Sequence, residues 1–292
     1  MRLEATLVID ARAILGEGPS WDDQKQLLYW VDIEGKKVHA YNPMTAGNIE
    51  MKQEQMVGTI APRESGGLVM AMAGGFYAMN LSTENVDAIT DPESHLPHNR
   101  FNDGKCDPAG RFWAGTTHLE GLKGEGALYC LDENLEVTKK IDHVSTSNGL
   151  AWSPDTRYMY FIDTPTKKVV RYDYDLTTGD IRNPVEVITI PDGEGMPDGM
   201  TSDVEGNLWI AHWGGSKVTR WNPDTGERLL EVNVPALNVT SCVFGGKERN
   251  ELYITTARTN MSEEELKQFP YAGGVFRVKT KTKGSRTYVF KG

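Results

Sequence analysis

Four short segments of the chain combine a carboxylate or carboxamide side chain with adjacent small residues. They are EGP at Glu17, NDG at Asn102, NGL at Asn148 and DGM at Asp198. Two carboxylates that face each other repel and lose hydration unless a cation or a shared proton compensates them. With the carboxamide oxygen of Asn148, Glu17 and Asp198 form an oxygen-only set, which hard divalent cations such as calcium, magnesium or manganese prefer. Three protein ligands leave positions for water and substrate, as in Lewis-acid catalysis.

The elements that must position these residues are short strands. Helical periodicity is confined to MSEEELKQF (261–269), where Ser262 and Glu265 resemble a capping box. Six aromatic-rich strands can be aligned: LYWVD from Leu28, FYAMN from Phe76, FWAGT from Phe112, MYFID from Met159, LWIAH from Leu208 and LYITT from Leu252. Their starts differ by 48, 36, 47, 49 and 44 residues. A repeat of roughly 45 residues is the length of a four-stranded propeller blade.

We therefore predict an all-β fold, a six-bladed β-propeller with four-stranded blades, as a single domain over residues 1–292. A β-sandwich would also show turn signals but gives no reason for a repeat of this length. Propellers close by combining strands from both ends of the chain. We expect LEATLVID near the start to complete a blade with GGVFRVKT and RTYVFKG near the end.

The alignment also predicts a ring of side chains around the propeller axis. The residues ten or eleven positions before each aligned strand are Glu17, Ser65, Asn102, Asn148, Asp198 and Ser241. Asn-Gly and Asp-Gly are common tight-turn sequences, so each segment alone is also consistent with a structural turn. Their shared position relative to the following strand favours a common site.

Two other polar residues stand close to these segments. Arg100 precedes Asn102 by two positions, and it is either a ligand contact for an anionic or hydroxyl-rich molecule at the channel mouth or a solvated surface residue. His118 directly follows the FWAGT strand segment and is likewise either a ligand contact or a surface residue. The sequence contains no GxSxG, P-loop or HExxH motif.

Composition narrows the choice of partners and compartment. The net charge of −10, without a basic stripe, argues against nucleic acid as a partner. The most apolar run, residues 66–79, is too short and too rich in glycine to cross a membrane, and the start of the chain does not resemble a secretory signal. Cys106, Cys130 and Cys242 are widely spaced, which indicates neither disulfides nor a zinc site. We expect a cytoplasmic protein, and the oligomeric state stays open.

Several ordered motifs resemble the senescence marker protein, regucalcin and gluconolactonase family over essentially the whole chain. They are GEGPSW, RFNDGKCDPAGRFWAGT, SNGLAWSPD, MPDGMTSDVEGNLWIAHW and TSCVFGGKERNELYITTAR. The resemblance implies a six-bladed propeller that binds one divalent cation at its axis and hydrolyses sugar lactones such as gluconolactone to the sugar acid. We expect calcium, with zinc, magnesium and manganese as alternatives.

The resemblance also assigns roles to individual residues. Glu17, Asn148 and Asp198 would bind the metal, with Asp198 also the general base, while Arg100 and Asn102 would bind substrate hydroxyls. The acidic group that the family often has after its AGT strand corresponds to Glu120, and His118 precedes it in a segment, THLE, that departs from the more usual MAEE. Both are expected substrate contacts.

Two rival functions remain at this point. One is a non-catalytic propeller that binds calcium or another protein, because a fold does not fix a function. The other is a broader lactonase or ester hydrolase, which would have a more apolar channel mouth.

Overall fold

Short strands separated by turns rich in Gly, Asn and Asp form six sheets in the computed structural model, which describes residues 2–292. Within each repeat, successive strands pair antiparallel, and the sheets are arranged as a six-bladed β-propeller with four-stranded blades. The predicted fold class is therefore confirmed.

The strands of the first half of the chain are β1 (Arg2–Glu4), β2 (Thr6–Ile9), β3 (Gly16–Asp22), β4 (Leu27–Asp32), β5 (Lys37–Asn42), β6 (Gly47–Lys52), β7 (Val57–Pro62), β8 (Leu68–Met72), β9 (Gly75–Met79), β10 (Val86–Thr90), β11 (Asn99–Cys106), β12 (Phe112–His118), β13 (Gly126–Leu131) and β14 (Val137–Val144). Those of the second half are β15 (Ser147–Trp152), β16 (Tyr158–Asp163), β17 (Lys168–Tyr174), β18 (Ile181–Thr189), β19 (Met196–Ser202), β20 (Leu208–Trp213), β21 (Lys217–Asn222), β22 (Glu227–Asn233), β23 (Asn238–Gly245), β24 (Glu251–Ala257) and β25 (Val275–Lys279). A 3-10 turn spans Thr164–Thr166, and one α-helix, α1, spans Glu263–Gln268.

Each blade begins with a strand at the propeller axis. Blades 1 to 4 are β3–β6, β7–β10, β11–β14 and β15–β18; blade 5 is β19–β22 with β1 added at its edge; blade 6 is β23–β25 with β2 at its edge. The first strands of neighbouring blades contact one another. The six axial strands are therefore β3, β7, β11, β15, β19 and β23.

The core consists of six apolar clusters, one between each pair of neighbouring blades. Strand β4 shows how the sequence produces this arrangement. Leu28 and Trp30 pack into the cluster shared with blade 6, whereas Tyr29 and Val31 pack into the cluster shared with blade 2. Side chains alternate between the two faces of a strand, so a run that is apolar at every position buries both faces of its blade.

The predicted alignment was wrong in one blade. FYAMN coincides with β9, the third strand of blade 2, whereas the other five aligned segments coincide with second strands. The second strand of blade 2 begins at Leu68, which is 40 residues after Leu28 and 44 before Phe112. This strand has no aromatic residue, so an alignment of aromatic-rich strands did not include it.

Segments near both termini join the ring of blades. Strand β2 pairs antiparallel with β25, with Leu7 opposite Phe276, and thereby supplies the fourth strand of blade 6. Strand β1 pairs parallel with β22 in blade 5. The N-terminal segment therefore connects two neighbouring blades, and the predicted closure with GGVFRVKT is confirmed.

The second half of the closure prediction was wrong. RTYVFKG does not enter blade 6, where β2 already occupies the edge of the sheet. Instead, Phe290 is buried in the cluster between blades 2 and 3, and its amide donates to the carbonyl of Pro62 at 2.8 Å. Burial of this aromatic ring keeps the C-terminal segment away from the closing blade.

The helix cap, the cysteines and the apolar character of the helix complete the description of the fold. Helix α1 begins with the predicted capping box, in which Ser262 and Glu265 bond reciprocally. The three cysteines are unpaired and buried. In the part of the chain from residue 2 to 292, no helix combines the length and apolar character that a bilayer crossing requires.

Deleting residues 1–9 should lower the melting temperature by at least about 5 °C. The deletion removes β1 and β2, including the partly buried Leu7 and Ile9, each of which contributes on the order of 1 kcal/mol. One kcal/mol corresponds to about 2–4 °C in a chain of this size. Circular dichroism melting measures the effect, and deletion of residues 1–4, which spares β2, should reduce stability less. An unchanged melting temperature for the longer deletion would show that closure lies elsewhere.

Candidate functional site

Irregularities in the axial strands place the predicted residues at the axis. The pairing register breaks between Phe101 and Gly104 in β11, between Ser147 and Leu150 in β15, and between Pro197 and Met200 in β19. These breaks take Asn102, Asn148 and Asp198 out of the regular ladder. A β-bulge re-aims a side chain, and bulges are frequent beside active sites.

The glycines that follow serve close packing rather than tight turns. Asn148-Gly149 and Asp198-Gly199 lie inside β15 and β19. A Cβ atom on Gly149 would stand only 2.8 Å from the carbonyl oxygen of Asp198 in the next blade. Glycine therefore lets neighbouring axial strands approach, and the interpretation of these pairs as hairpin turns was wrong.

A cavity of about 280 Å³ opens at one end of the axis and brings together five of the predicted site residues. Its lining comprises Leu15, Glu17, Glu34, Arg100, Asn102, Thr146, Asn148, Thr164, Met196, Asp198, Trp213, Thr259 and Asn260. Ten of these thirteen residues are polar. The polar side chains can bind the hydroxyl groups of a ligand, while Leu15, Met196 and Trp213 supply apolar surface.

The carboxyl groups of Glu17 and Asp198 both line this cavity and lie close enough that each shifts the pKa of the other. Both are buried. Burial, followed by the charge of Asp103, raises the pKa of Glu17 from 4.5 to about 8. Burial, followed by the charges of Glu17 and Asp103, raises the pKa of Asp198 well above its ordinary value. The pair therefore shares a proton at neutral pH unless a positive charge replaces it.

Two basic side chains oppose this negative charge incompletely. Burial lowers the pKa of Arg100, while Glu17, Glu34 and Asp198 act to raise it. Lys105 is the second, and its charge acts on Asp103. Three acidic groups, Glu17, Asp103 and Asp198, thus stand against two basic ones, which leaves one negative charge in excess when all are ionised.

Hydrogen bonds fix the two carboxamides. Asn102 Nδ2 donates to the carbonyl oxygen of Ser147 at 2.8 Å and to Asn148 Oδ1 at 3.2 Å. Arg100 Nη1 donates to Asn102 Oδ1 at 2.8 Å and to the carbonyl oxygen of Phe101 at 3.0 Å. The oxygen of Asn148 consequently faces Asn102 across the boundary between blades 3 and 4.

The remaining predicted residues lie outside the cavity. His118 and Glu120 stand at and just beyond the end of β12, where the amide of Glu120 donates to His118 Nδ1 at 3.1 Å and Glu120 is exposed. Their role as substrate contacts stays a prediction. Ser241 is buried beside Gly199.

Ser65 was wrongly placed in the ring. It lies in the exposed turn between β7 and β8. The equivalent axial position in blade 2 is Gly58, which the register break between Val57 and Thr59 leaves unpaired. The error follows from the misaligned strand of that blade.

Sequence reasoning missed four lining residues that share a position in the repeat. Glu34, Thr164 and Thr259 follow the second strands of blades 1, 4 and 6 by one or two residues, and Trp213 is the last residue of the second strand of blade 5. The same alignment, read at the ends of the second strands, would have found them. Asp103 belongs to the NDG segment, but its sequence context predicted no role for it.

The donor set fits a hard divalent cation. Asp198 Oδ1 is buried and has no hydrogen-bond partner within residues 2–292. A buried carboxylate oxygen without a partner is costly, and a cation would satisfy it. No group of three His, Cys, Asp and Glu side chains in that range converges on a metal position. The candidate donors are instead the carboxylates of Glu17 and Asp198 together with the carboxamide oxygen of Asn148. Cations with oxygen ligands accept both kinds of donor.

The protein-family model for the SMP-30/gluconolactonase/LRE-like region matches residues 15–258 of this chain. The chain belongs to this family. Among its relatives, the Bacillus subtilis protein YvrE, which carries the provisional name sugar lactone lactonase, is 42% identical over 290 residues and covers 99% of both chains. Regucalcin of Oryctolagus cuniculus is 41% identical over 268 residues, which is 90% of each chain.

The propeller of this SMP-30/gluconolactonase-like chain is also similar to a solved structure from Agrobacterium tumefaciens, described as a calcium-binding protein, regucalcin. The TM-score is 0.95 at 26% sequence identity, and the match covers 100% of this chain and 99% of the other. The similarity therefore includes every blade.

Glu17→Gln should stabilise the cation-free protein at pH 8. Because folding raises the pKa of Glu17 from 4.5 to about 8, the folded protein keeps a proton that the unfolded chain releases, and stability falls as pH rises through this window. Each pKa unit is about 1.4 kcal/mol. We expect the melting temperature in chelator to exceed that of the wild type by at least about 5 °C at pH 8 and to differ little at pH 5.

The matched control is Glu34→Gln, which neutralises an exposed carboxylate on the same cavity. It should leave the pH dependence of melting unchanged. If Glu17→Gln and wild type showed parallel melting curves from pH 5 to 8, Glu17 would not hold the additional proton.

Proposed function

We propose that this protein hydrolyses sugar lactones such as gluconolactone to the open sugar acid, with one divalent cation bound by Glu17, Asn148 and Asp198. The observation that carries the proposal is a pair of buried carboxyl groups on one axial cavity that shift each other's pKa, one of them with a partnerless oxygen. The provisional lactonase name of YvrE, a relative of nearly equal length, supports the same reaction.

Arg100 and Asn102 would bind the hydroxyl groups of the substrate. Arg100 uses Nη1 for its two protein contacts, while its Nε and Nη2 make no hydrogen bond to the described part of the chain. A guanidinium has five N–H donors in a fixed plane, so the remaining donors can bind adjacent hydroxyls. Trp213 and Met196 provide apolar surface for the C–H face of a sugar ring.

Glu17, Asn148 and Asp198 are the residues that would hold the cation. When bound, a divalent cation supplies positive charge that stabilises both ionised carboxylates and the developing charge on a lactone carbonyl oxygen. We expect calcium, a choice supported by the description of the Agrobacterium structure as a calcium-binding protein. Magnesium, manganese and zinc are the alternatives to be tested.

Asp198 would act as the general base. Its ionised carboxylate accepts a proton from the water that attacks the lactone carbonyl carbon. The ring C–O bond then breaks, and the protonated Asp198 returns the proton to the leaving ring oxygen, which gives the carboxylic acid and a hydroxyl group. A general base is efficient when its pKa lies near the working pH. Burial raises the pKa of Asp198 from its ordinary acidic value in that direction. Glu17 would serve as a ligand only, and the amide of Gly18 donates to its Oε2 at 2.9 Å.

The proposal includes a small-molecule partner, no nucleic acid and a cytoplasmic location. The net charge of −10 supports the second point. Three unpaired, buried cysteines are consistent with a reducing compartment. We also propose that the propeller is one domain, since β2 and β25 come from opposite ends of the sequence and share a blade.

Removing divalent cations should abolish lactone hydrolysis, and adding one back should restore it. The protein is treated with chelator, dialysed, and supplied separately with calcium, magnesium, manganese and zinc. Acid release from a panel of aldonolactones is then followed with a pH indicator, with the uncatalysed rate subtracted. Cation binding without hydrolysis of any aldonolactone would favour the non-catalytic calcium-binding propeller instead.

Asp198→Asn should separate proton transfer from folding. We expect kcat at saturating cation to fall about 100- to 10,000-fold, the usual contribution of a general base, while the melting temperature in chelator does not fall. Asp192→Asn is the matched control, because Asp192 is an exposed aspartate paired with Lys167 and should leave kcat unchanged. Retention of wild-type kcat by Asp198→Asn would assign the base elsewhere.

A further inference from the structure

We propose that Thr164 is a positioning residue that aims the carboxamide oxygen of Asn148 into the axial cavity. The inference rests on the proposed role of Asn148 as a cation ligand and extends it to a residue outside the ring. Thr164 begins the 3-10 turn after β16 and lines the cavity. It lies at none of the six aligned axial positions.

The direction of two hydrogen bonds decides which end of the Asn148 amide faces Thr164 and which end faces Asn102. Thr164 Oγ1 donates to the carbonyl oxygen of Pro197 at 2.8 Å. A hydroxyl has one hydrogen, and a carbonyl oxygen only accepts, so Thr164 Oγ1 must accept at its other contact. That contact is Asn148 Nδ2 at 2.8 Å. The NH2 group of Asn148 is thereby held towards Thr164, and its oxygen faces the opposite way.

The opposite end of the same chain of hydrogen bonds enforces the same direction. A guanidinium can only donate, so the bond from Arg100 Nη1 fixes Oδ1 of Asn102 towards Arg100. The Nδ2 of Asn102 must then donate, and it does so to Asn148 Oδ1 at 3.2 Å. A carboxamide oxygen has two acceptor positions, so one remains for a cation.

This chain of bonds runs across three blades. It begins with Arg100 in β11, passes through Asn148 in β15 and ends at Pro197 in β19, the residue next to Asp198. The hydroxyl of Thr164 consequently ties the Asn148 side chain to the strand that carries Asp198. Groups that orient ligands in this way typically change metal affinity 10- to 100-fold when they are removed.

The test is isothermal titration of the chelator-treated full-length protein with calcium chloride alone and with manganese chloride alone. Thr164→Val removes the hydroxyl but keeps the branched shape, and we expect its Kd for the cation to rise 10- to 100-fold. Thr164→Ser keeps the hydroxyl, so its Kd for the cation should lie within about threefold of the wild-type value. Thr164→Ala provides a second variant without the hydroxyl if the valine variant does not fold.

Thr166→Val is the matched control. Thr166 lies in the same 3-10 turn, and its hydroxyl also donates to a carbonyl oxygen, that of Asp163 at 2.7 Å, but it is exposed and does not line the cavity. Its Kd should equal that of wild type. A general weakening of the turn would affect both threonine positions and would not be restored by serine.

The outcomes separate this inference from the proposed function. If wild type binds a cation and Thr164→Val binds it equally well, the positioning role is overturned and the cation site stands. If wild type binds neither cation, the proposed cation site fails and takes the positioning role with it. Weak binding by the valine variant together with strong binding by the serine variant supports the inference.

Discussion

The electrostatic coupling between the buried carboxyl groups of Glu17 and Asp198 is the constraint on which the site depends. Two buried, coupled acids are unfavourable when both are ionised, and Asp103 adds further negative charge. Arg100 and Lys105 compensate only part of it. The fold therefore maintains a cluster that has room for one more positive charge, and a proton or a cation must supply it.

The propeller can maintain this cluster because its stability is built elsewhere. Six apolar clusters between the blades, with large buried rings such as Trp30 and Phe76, hold the axial strands in place. The N-terminal strands connect blades 5 and 6, while Phe290 packs between blades 2 and 3. A rigid outer structure lets a few polar residues at the axis keep an arrangement that opposes folding locally.

The axial strands also show how a repeat becomes asymmetric. Bulges in β11, β15 and β19 turn a carboxylate or carboxamide towards the axis, whereas the corresponding break in β7 presents only Gly58. Blade 2 therefore contributes no side chain at this position, where a Cβ atom would stand only 2.5 Å from the carbonyl oxygen of Asn102. Thr164 and Trp213, at the ends of second strands, complete the wall of the cavity. Function in this fold is assembled from the differences between equivalent positions.

The sequence by itself determined the approximate blade repeat, the all-β class and the α1 capping box, and it singled out the candidate oxygen donors. These depend on alternation, turn residues and spacing, which act over a few neighbouring positions. Only the tertiary structure decided that Glu17 and Asp198 line one cavity, that Thr164 bonds to Asn148, that Ser65 lies in a turn, and that RTYVFKG packs outside the closing blade. Each of these depends on how blades rotate, bulge and pack against one another, and those relations join residues far apart in the chain.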